Sequence, residues 1–271
     1  MKRLPAAGRA GGVLVLVLAA AALCAPLLAD PEAIGAQELA RRLESPSGAH
    51  PLGLDDLGRD VLTRLLFGAR ASLLASVVVV SVSAGLGALV GALAGFAGRL
   101  ADELLMRLAD ILLAFPGVLL AVAIVAALGP GLRHAILALC AIGWVGYARL
   151  VRGEVLRIRE LEFVHAARAA GAPASRILLR HVLPQTLGPL IVQASIGMAG
   201  VILAEASLSF LGLGIQPPSP SWGSMLRDSV KYLAFAPHLA LAPGAAVAAA
   251  VVGFNFLGDG LRDLLDPRGA R

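Results

Sequence analysis

The sequence predicts an all-α integral membrane protein with six transmembrane helices. Hydrophobic residues make up 58% of the 271-residue chain and charged residues only 15%, whereas soluble domains are about half apolar and a quarter charged. The apolar residues gather in runs of the roughly 20 residues that a helix needs to cross a bilayer. Because runs such as 245–252 do not alternate with polar residues, helices are favoured over the strands of a membrane barrel.

The six predicted spans are residues 11–29, 71–97, 108–128, 133–150, 186–211 and 237–258. The first follows Lys2, Arg3 and Arg9 and is longer than the apolar core of most signal peptides, so we interpret it as an uncleaved anchor. With the N-terminus inside, the cytoplasmic side holds 15 of the 23 Lys and Arg residues. The positive-inside rule therefore predicts that both termini lie in the cytoplasm.

Small residues on two spans predict close helix packing. In the second span they recur at every fourth position, at Gly87, Gly91 and Gly95. Residues four apart share one helix face, and small ones let a neighbouring backbone approach closely. The fifth span has a related stripe along one face, formed by Gln193, Gly197, Gly200 and Ala204.

Two prolines predict irregular helices within the spans. Proline lacks the backbone N–H of a regular helix, and its ring collides with the preceding turn. We therefore expect Phe115-Pro116 to kink or break the third span, and Pro243 to do the same near the start of the sixth.

Polar residues near the outer end of the fifth span raise a functional question, because ionisable groups inside a membrane are costly. Glu205, followed by Ser207 and Ser209, is interpreted in two ways that the sequence leaves open. These residues either line or gate a solute pathway, or they form a buried hydrogen-bonded cluster. In the outer loop that follows, Trp222 and Tyr232 are predicted to anchor the chain at the membrane interface.

Composition and motifs argue against several other classes of protein. The net charge of +5 comes from basic residues on the predicted inner side, so it indicates no nucleic-acid partner. Cys24 and Cys140 lie in apolar runs without metal-ligand spacing, which predicts packing residues and no metal site. The five histidines are scattered, and no HExxH, GxSxG or Walker motif is present. The chain is therefore predicted to be no enzyme and to need no cofactor, with any ATP hydrolysis in a separate subunit.

An arginine-rich segment, 149–180, interrupts the apolar runs. Its pattern predicts a helix over 160–170, a flexible elbow at Gly171 and a second helix over 175–182. Pro184 is expected to end that second helix where the chain re-enters the bilayer. Held at the cytoplasmic surface, the segment is predicted to dock into a groove of a soluble partner. The alternative is an amphipathic helix lying on anionic lipid, although its alanine-rich face offers no large apolar anchor.

At these residues the chain resembles the inner-membrane permease subunits of ABC importers. The run His165-Ala-Ala-Arg-Ala-Ala-Gly171, followed by His181-Val-Leu-Pro184, is similar to their cytoplasmic EAA loop. The first Glu usual in that loop is His165 here, and the Ile usual before Leu-Pro is His181. Stretches 50–60, 204–223 and 254–268 are similar to the second permease of dipeptide, oligopeptide and nickel importers.

The resemblance implies a type I ABC importer transmembrane fold in a bacterial inner membrane. It divides the chain into an N-terminal helix with an extracytoplasmic segment over 1–68, a permease domain over 69–263 and a cytoplasmic tail over 264–271. In such an importer, ATP drives alternating access, which here would move a small solute, with di- and oligopeptides expected. The residues that the resemblance assigns to ATPase coupling are His165, Ala166, Ala167, Gly171, His181, Leu183 and Pro184.

The implied partners are a second homologous permease, two P-loop ATP-binding subunits and an extracytoplasmic solute-binding protein, all at a lipid membrane. One alternative is a secondary transporter or channel driven by an ion gradient, which would need a midplane ion site or broken half-helices. Glu205 is its single candidate ligand. A second alternative is a protein of the same fold that exports solute or has a purely structural role, since the docking segment does not determine the direction of transport.

Overall fold

The computed structural model describes residues 4–265 of the chain, so Lys2, Arg3 and the Asp266-Pro-Arg268 motif lie outside the described residues. Between residues 4 and 265 the protein is helical and contains no strand, apart from one isolated bridge between Leu54 and Asp60. Its α-helices are α1 Ala6–Leu28, α2 Val61–Phe96, α3 Arg99–Leu113, α4 Gly117–Leu128, α5 Leu132–Ile158, α6 Glu162–Ala169, α7 Ala174–Ile177, α8 Leu183–Phe210, α9 Trp222–Ser229 and α10 His238–Leu265.

Five helical stretches are long and apolar enough to cross a membrane, namely α1, α2, α5, the continuous run from α7 through α8, and α10. The bent pair α3 and α4 brings the number to six if the two together form one span. This agrees with the six predicted spans. The helix of the fourth span extends to Ile158, eight residues beyond the predicted end, and its inner end carries Arg149 and Arg152, which pair with carboxylates of α3.

The third predicted span, 108–128, is not one continuous helix. The axes of α3 and α4 differ by 85° across the break at Phe115-Pro116, as the missing N–H of proline predicts. α3 begins nine residues earlier than the predicted span and carries charged residues along one face. By contrast, α10 continues through Pro243 as one helix, so the break expected there is wrong.

The glycine face of α2 packs against α5, which confirms that prediction. A methyl group added at Gly87 would collide with Tyr147, and one added at Gly95 would lie 2.8 Å from Cγ1 of Val155. On α8 the prediction is only partly confirmed. Gly197 lies against the Tyr147 hydroxyl, whereas Gly200 has no neighbour within 4 Å of an added methyl among the described residues.

α1 packs along α10 through facing glycines, with their backbones in direct contact. A methyl group added at Gly8 would lie 2.7 Å from Cα of Gly260, and one added at Gly11 would lie 2.6 Å from the amide nitrogen of Leu257. The start of α1 therefore lies beside the end of α10. Both helix ends are at the same end of the bundle, in agreement with the topology predicted from the charges.

The segment between α1 and α2 folds over the outer end of the bundle. Asp55 accepts hydrogen bonds from the backbone amides of Leu57 and Arg59, at 2.9 Å each, and from Nε of Arg59 at 2.6 Å. The buried guanidinium of Arg64 donates to the carbonyl of Ile34 at 3.3 Å and lies 3.4 Å from Asp55. Charged side chains thus fix this outer cap, residues 30–60, onto the start of α2.

The prediction that Trp222 anchors the chain at the membrane interface is wrong. Trp222 is 1% exposed, and its indole Nε1 donates to the carbonyl of Leu65 at 3.2 Å. A capping box between Ser221 and Ser224 starts α9 at this point and turns the ring inward. Tyr232 is half-buried and stacks edge-on with exposed Phe235, 6.4 Å between ring centroids. An interface position for Tyr232 stays a prediction.

Candidate functional site

The candidate site is the coupling segment, residues 160–184, which joins α5 to α8. α6 begins after Leu161, and Gly171 then turns the chain with φ +79°, a conformation that favours glycine. Pro173 precedes α7, which runs without interruption into a π-helical stretch over Leu178–Val182 and then into α8. The predicted order of helix, glycine elbow and second helix is confirmed in this segment.

Buried aliphatic side chains fix the coupling segment to the bundle. Val164 of α6, Ile177 of α7 and Val182 are each at most 1% exposed. They pack in one cluster with residues on the inner ends of α2 and α5, namely Ala92, Val151, Val155 and Ile158. Burial of these three side chains contributes several kcal/mol. The buried side of the segment is therefore packed firmly against the inner ends of α2 and α5.

The opposite surface of the coupling segment is exposed and carries mainly small and charged side chains. His165, Ala166, Ala169 and Ala170 face outward on and after α6. The exposed basic residues beside them are Arg168, Arg176 and Arg180. Three larger apolar side chains, Leu161, Phe163 and Leu179, are also partly exposed. The alanines let another protein surface approach closely, whereas the three larger side chains are anchors that a lipid surface would also accept.

Pro184 does not end a helix, so that expectation is wrong. It is the second residue of α8, directly after a π-helical stretch, and the helix continues through it. The preceding π-helical turn adapts the backbone, since the amide of Leu183 donates to the carbonyl of Leu178 five residues back. The coupling segment is thereby joined to α8 by unbroken helix from Ala174 to Phe210.

The two histidines of the motif occupy different environments. His165 is exposed, and its Nε2 lies 3.9 Å from a carboxylate oxygen of Glu160. His181 is half-buried in the π-helical turn. Beside α6 an open cleft of about 540 Å³ is lined mainly by Arg159, Arg168, Phe96 and alanines of the elbow. The coupling residues predicted from the sequence thus lie in one continuous surface element, with Leu183 half-buried at its base.

Glu205 and Ser209 form a buried hydrogen-bonded cluster near the outer end of α8. Ser72 of α2 donates to Oε2 of Glu205 at 2.8 Å, and Ser209 donates to Oε1 at 2.7 Å. The amide of Ile215 in turn donates to the Ser209 hydroxyl at 3.2 Å. The cluster ties α2, α8 and the following loop together, and Glu205 is only 1% exposed.

Ser207 lies outside this cluster. Its hydroxyl donates a hydrogen bond to the carbonyl of Leu203 in the same helix, at 2.7 Å. The geometry therefore supports the hydrogen-bonding interpretation of Glu205 and Ser209. A role of the three residues in the solute pathway stays a prediction.

Several residues of these sites were not found from the sequence. Ser72 is 133 positions from Glu205, and a single serine in an apolar run carries no signal of its own. The ion pairs between α3 and α5, which join Asp102 to Arg152 and Asp110 to Arg149, were also missed.

At the outer cap, burial and the neighbouring Asp55 carboxylate raise the pKa of Asp56 above its ordinary value.

Comparison with known proteins decides the family. Residues 87–271 match the family model described as the binding-protein-dependent transport system inner membrane component. The chain belongs to this family. As a member, it is a membrane permease component of an ABC transport system, located in the inner membrane, while ATP hydrolysis and solute capture belong to other proteins of such systems.

Individual relatives of this permease span most of its length. The chain is 46% identical over 247 residues to the dipeptide transport system permease protein DppC of Alkalihalophilus pseudofirmus, covering 91% of this chain and 81% of the relative. It is 44% identical over 259 residues to the glutathione transport system permease protein GsiD of Pectobacterium atrosepticum, with coverage of 96% and 86%. It is 42% identical over 258 residues to the probable D,D-dipeptide transport system permease protein DdpC of Escherichia coli, with coverage of 94% and 86%.

The fold of this permease also matches a solved structure. A chain of the MetNI methionine ABC transporter in an inward-facing conformation superposes with a TM-score of 0.63 and 20% sequence identity. The match covers 75% of the permease and 96% of the MetNI chain. It shows the type I ABC transporter fold. Because the permease belongs to a family of ATP-driven systems, the gradient-driven alternative is set aside.

Proposed function

We propose that this permease moves di- or oligopeptides into the cell by alternating access, with its coupling segment docked on an ATP-binding subunit. The complex would contain a second permease of similar fold, two ATP-binding subunits and an extracytoplasmic solute-binding protein. Peptides are proposed as the solute class because the three relatives above are named for dipeptides, D,D-dipeptides and glutathione. The permease domain would begin near residue 69, after α1 and the outer cap, and the tail over 264–271 would follow it.

The proposal is supported by the exposed surface of the coupling segment and by the packing of its buried side. Its exposed face, from His165 to Ala170, is small and smooth, while its buried face is fixed to α5 and α2 through Val164 and Ile177. Because the segment is packed firmly against these helices, a displacement of the segment would be passed on to the helices. Closure of the ATP-binding subunits would therefore shift α5 and α8, to which the two ends of the segment are joined.

In thermodynamic terms, ATP favours one of two arrangements of the transmembrane helices. A ligand shifts such an equilibrium only by the difference between its affinities for the two states. The permease needs no catalytic group for this role. It needs a docking surface, a pathway and helices that move together.

The first test replaces Gly171 with valine. An added side chain at Gly171 meets no atom within 4 Å among the described residues, but φ +79° is unfavourable for a β-branched residue. The strain is about 1–2 kcal/mol, enough to displace the elbow without disturbing the buried base. We expect Gly171→Val to reach the membrane in normal amounts, yet to co-purify with less ATP-binding subunit and to take up less labelled dipeptide.

Gly129→Val is the matched control. Gly129 has φ +94° and ψ 158°, a conformation that essentially only glycine adopts, so valine is strained there at least as much, and the space around it is equally open. It lies between α4 and α5, at the opposite end of α5 from the coupling segment. It should leave co-purification unchanged. Normal co-purification and normal uptake in Gly171→Val would contradict the docking assignment. Normal co-purification of the wild-type complex with no peptide uptake, by contrast, would contradict the solute class alone.

A further inference from the structure

α3 is attached to α5 by charged side chains. Arg152 forms a two-pronged ion pair with Asp102, with 2.6 Å between Nη2 and Oδ2, and Arg149 pairs with Asp110. The two carboxylates lie eight residues apart, about two helical turns along the charged face of α3. The opposite face of α3 exposes a row of apolar side chains, namely Leu100, Leu104, Leu108 and Ile111.

At both ends of α3 the backbone allows the helix to change its direction. Gly98, just before α3, has φ +104°, and a side chain added there would meet no atom within 4 Å among the described residues. At the other end the chain turns by 85° at Phe115-Pro116 before α4 begins. A helix between two such points is free to pivot unless side-chain contacts hold it.

The two arginines lie on the part of α5 that supports the coupling segment. Val151, Val155 and Ile158 of α5 belong to the buried cluster that includes Val164 and Ile177. Arg152 is six residues from Ile158, a distance of about 9 Å along a helix. A displacement of the coupling segment therefore reaches Arg149 and Arg152 through one continuous helix.

We propose that the pairs Arg152–Asp102 and Arg149–Asp110 are positioning contacts that make α3 follow α5 when the coupling segment moves. This inference rests on the proposed function, because it takes the coupling segment to be the point where the ATP-binding subunit acts. The four side chains are between one quarter and about three fifths exposed. Ion pairs as exposed as these add little to the stability of a fold. Their effect is on where α3 lies relative to α5, and through the bend, on α4.

The test uses the assembled importer, purified through a tag on this chain. Asp102→Arg and Arg152→Asp each place like charges across the contact, and the double variant restores a pair of opposite charges in reverse order. We expect each single variant to assemble and keep its basal ATPase rate. Each should lose about fivefold or more of its ATP-driven uptake, a typical size for a coupling between sites. The double variant should recover to within about twofold of the wild type.

Arg107→Asp is the matched control. Arg107 pairs with Glu103 at 2.7 Å, but both residues lie on α3, so the pair does not reach α5. This variant changes the charge of α3 by two units, as Asp102→Arg does but with the opposite sign, and it should transport normally. Normal uptake by Asp102→Arg and Arg152→Asp overturns the proposal. So does a double variant that assembles fully but stays as inactive as the single ones.

A second measurement covers variants that fail to assemble. With Cys24 and Cys140 replaced by serine, Asp110→Cys and Arg149→Cys are joined by a short thiol cross-linker. If α3 follows α5, uptake falls when the ion pair is lost and returns when the covalent link replaces it. Uptake that is blocked by the link overturns the proposal. Absence of any ATP-binding subunit from the wild-type complex contradicts the proposed function itself, and so is distinguishable from failure of the α3 contacts.

Discussion

At the scale of single residues, Glu205 shows how a carboxyl group is accommodated among apolar helices. Each of its two oxygens accepts a serine hydroxyl hydrogen bond, from Ser72 on another helix and from Ser209 one turn away. A buried polar group without partners costs about 1–3 kcal/mol, whereas a satisfied one joins the elements that supply its partners. Glu205 therefore connects α2 to the outer end of α8.

Substitution of Glu205 tests this connection. Glu205→Gln keeps an oxygen to accept one hydroxyl and should lower the melting temperature of the detergent-purified protein only slightly. Glu205→Leu leaves both serine hydroxyls without their acceptor and should cost about 1–3 kcal/mol. Thermal unfolding of the purified variants measures the difference. If both variants unfold like the wild type but lose uptake, Glu205 acts in the solute pathway instead.

Asp56 predicts a pH dependence at the outer cap. Its pKa is raised in the folded protein by burial first and by Asp55 second, so the charged carboxylate destabilises the cap at neutral pH. Asp56→Asn should therefore raise the melting temperature at pH 7, by the equivalent of up to about 1 kcal/mol. The gain should fall as the pH drops through the raised pKa of the folded state and vanish below about pH 3, where the carboxyl group is protonated in both states.

Thermal unfolding at the two pH values measures this effect, with exposed Asp259→Asn as the control. Destabilisation of Asp56→Asn at pH 7 would show that the contact between Asp56 and Arg59, 3.6 Å long, outweighs the cost of burial.

At the scale of helices, the contact between α2 and α5 depends on the absence of side chains. A methyl group added at Gly91 would overlap the carbonyl oxygen of Ala148 and lie 2.9 Å from the amide of Arg152. Because these atoms belong to the backbone of α5, they cannot rotate away as a flexible side chain would. The two helices would have to separate.

Gly91→Leu should therefore reduce the amount of folded protein in the membrane several-fold, since overpacking costs about 1–3 kcal/mol or more. Gly85→Leu is the matched control, because Gly85 is on the same helix with no atom within 4 Å of an added methyl among the described residues. Immunodetection in membranes and size-exclusion chromatography compare the two variants. Equal accumulation of both would contradict the packing argument.

These helix contacts also show what the sequence was able to predict. The four-residue spacing of Gly87, Gly91 and Gly95 and the break at Pro116 are local signals, and both predictions are confirmed. The related stripe on α8 was confirmed at Gly197 but not at Gly200, because a stripe of small residues does not indicate which surface covers it. The prediction for Trp222 was wrong because aromatic residues in outer loops usually contact lipid, whereas here a capped helix buries the ring.

The candidate site was likewise predicted only in part from the sequence. The coupling segment was predicted because its arginines, its glycine elbow and its motif are close together in the chain. The Ser72 contact and the α3–α5 ion pairs join positions 133, 50 and 39 residues apart. Such pairs depend on how helices cross, which a single sequence does not specify. The π-helical turn before Pro184 was likewise not predicted, because it requires knowing that two helices continue into each other.

At the scale of the whole molecule, the permease consists of a helical bundle with a charged cap at one end and the coupling segment at the other. Arg64 and Asp55 fix the cap to the start of α2, while Val164 and Ile177 fix the coupling segment to the end of α5. α2 and α5 form the close glycine contact between them. The two ends of the molecule are thereby joined through one rigid pair of helices.

The contact between Gly8 and Gly260 also imposes an order on biogenesis. Among the described helices α1 is synthesised before all the others, and α10, whose backbone it touches, is synthesised after them. The face of α1 that contains Gly8 and Gly11 therefore has no α10 to cover it until α10 has been made. A nascent chain stalled before α10 would leave this glycine face uncovered, so we expect such a chain to be degraded faster than one stalled after α10.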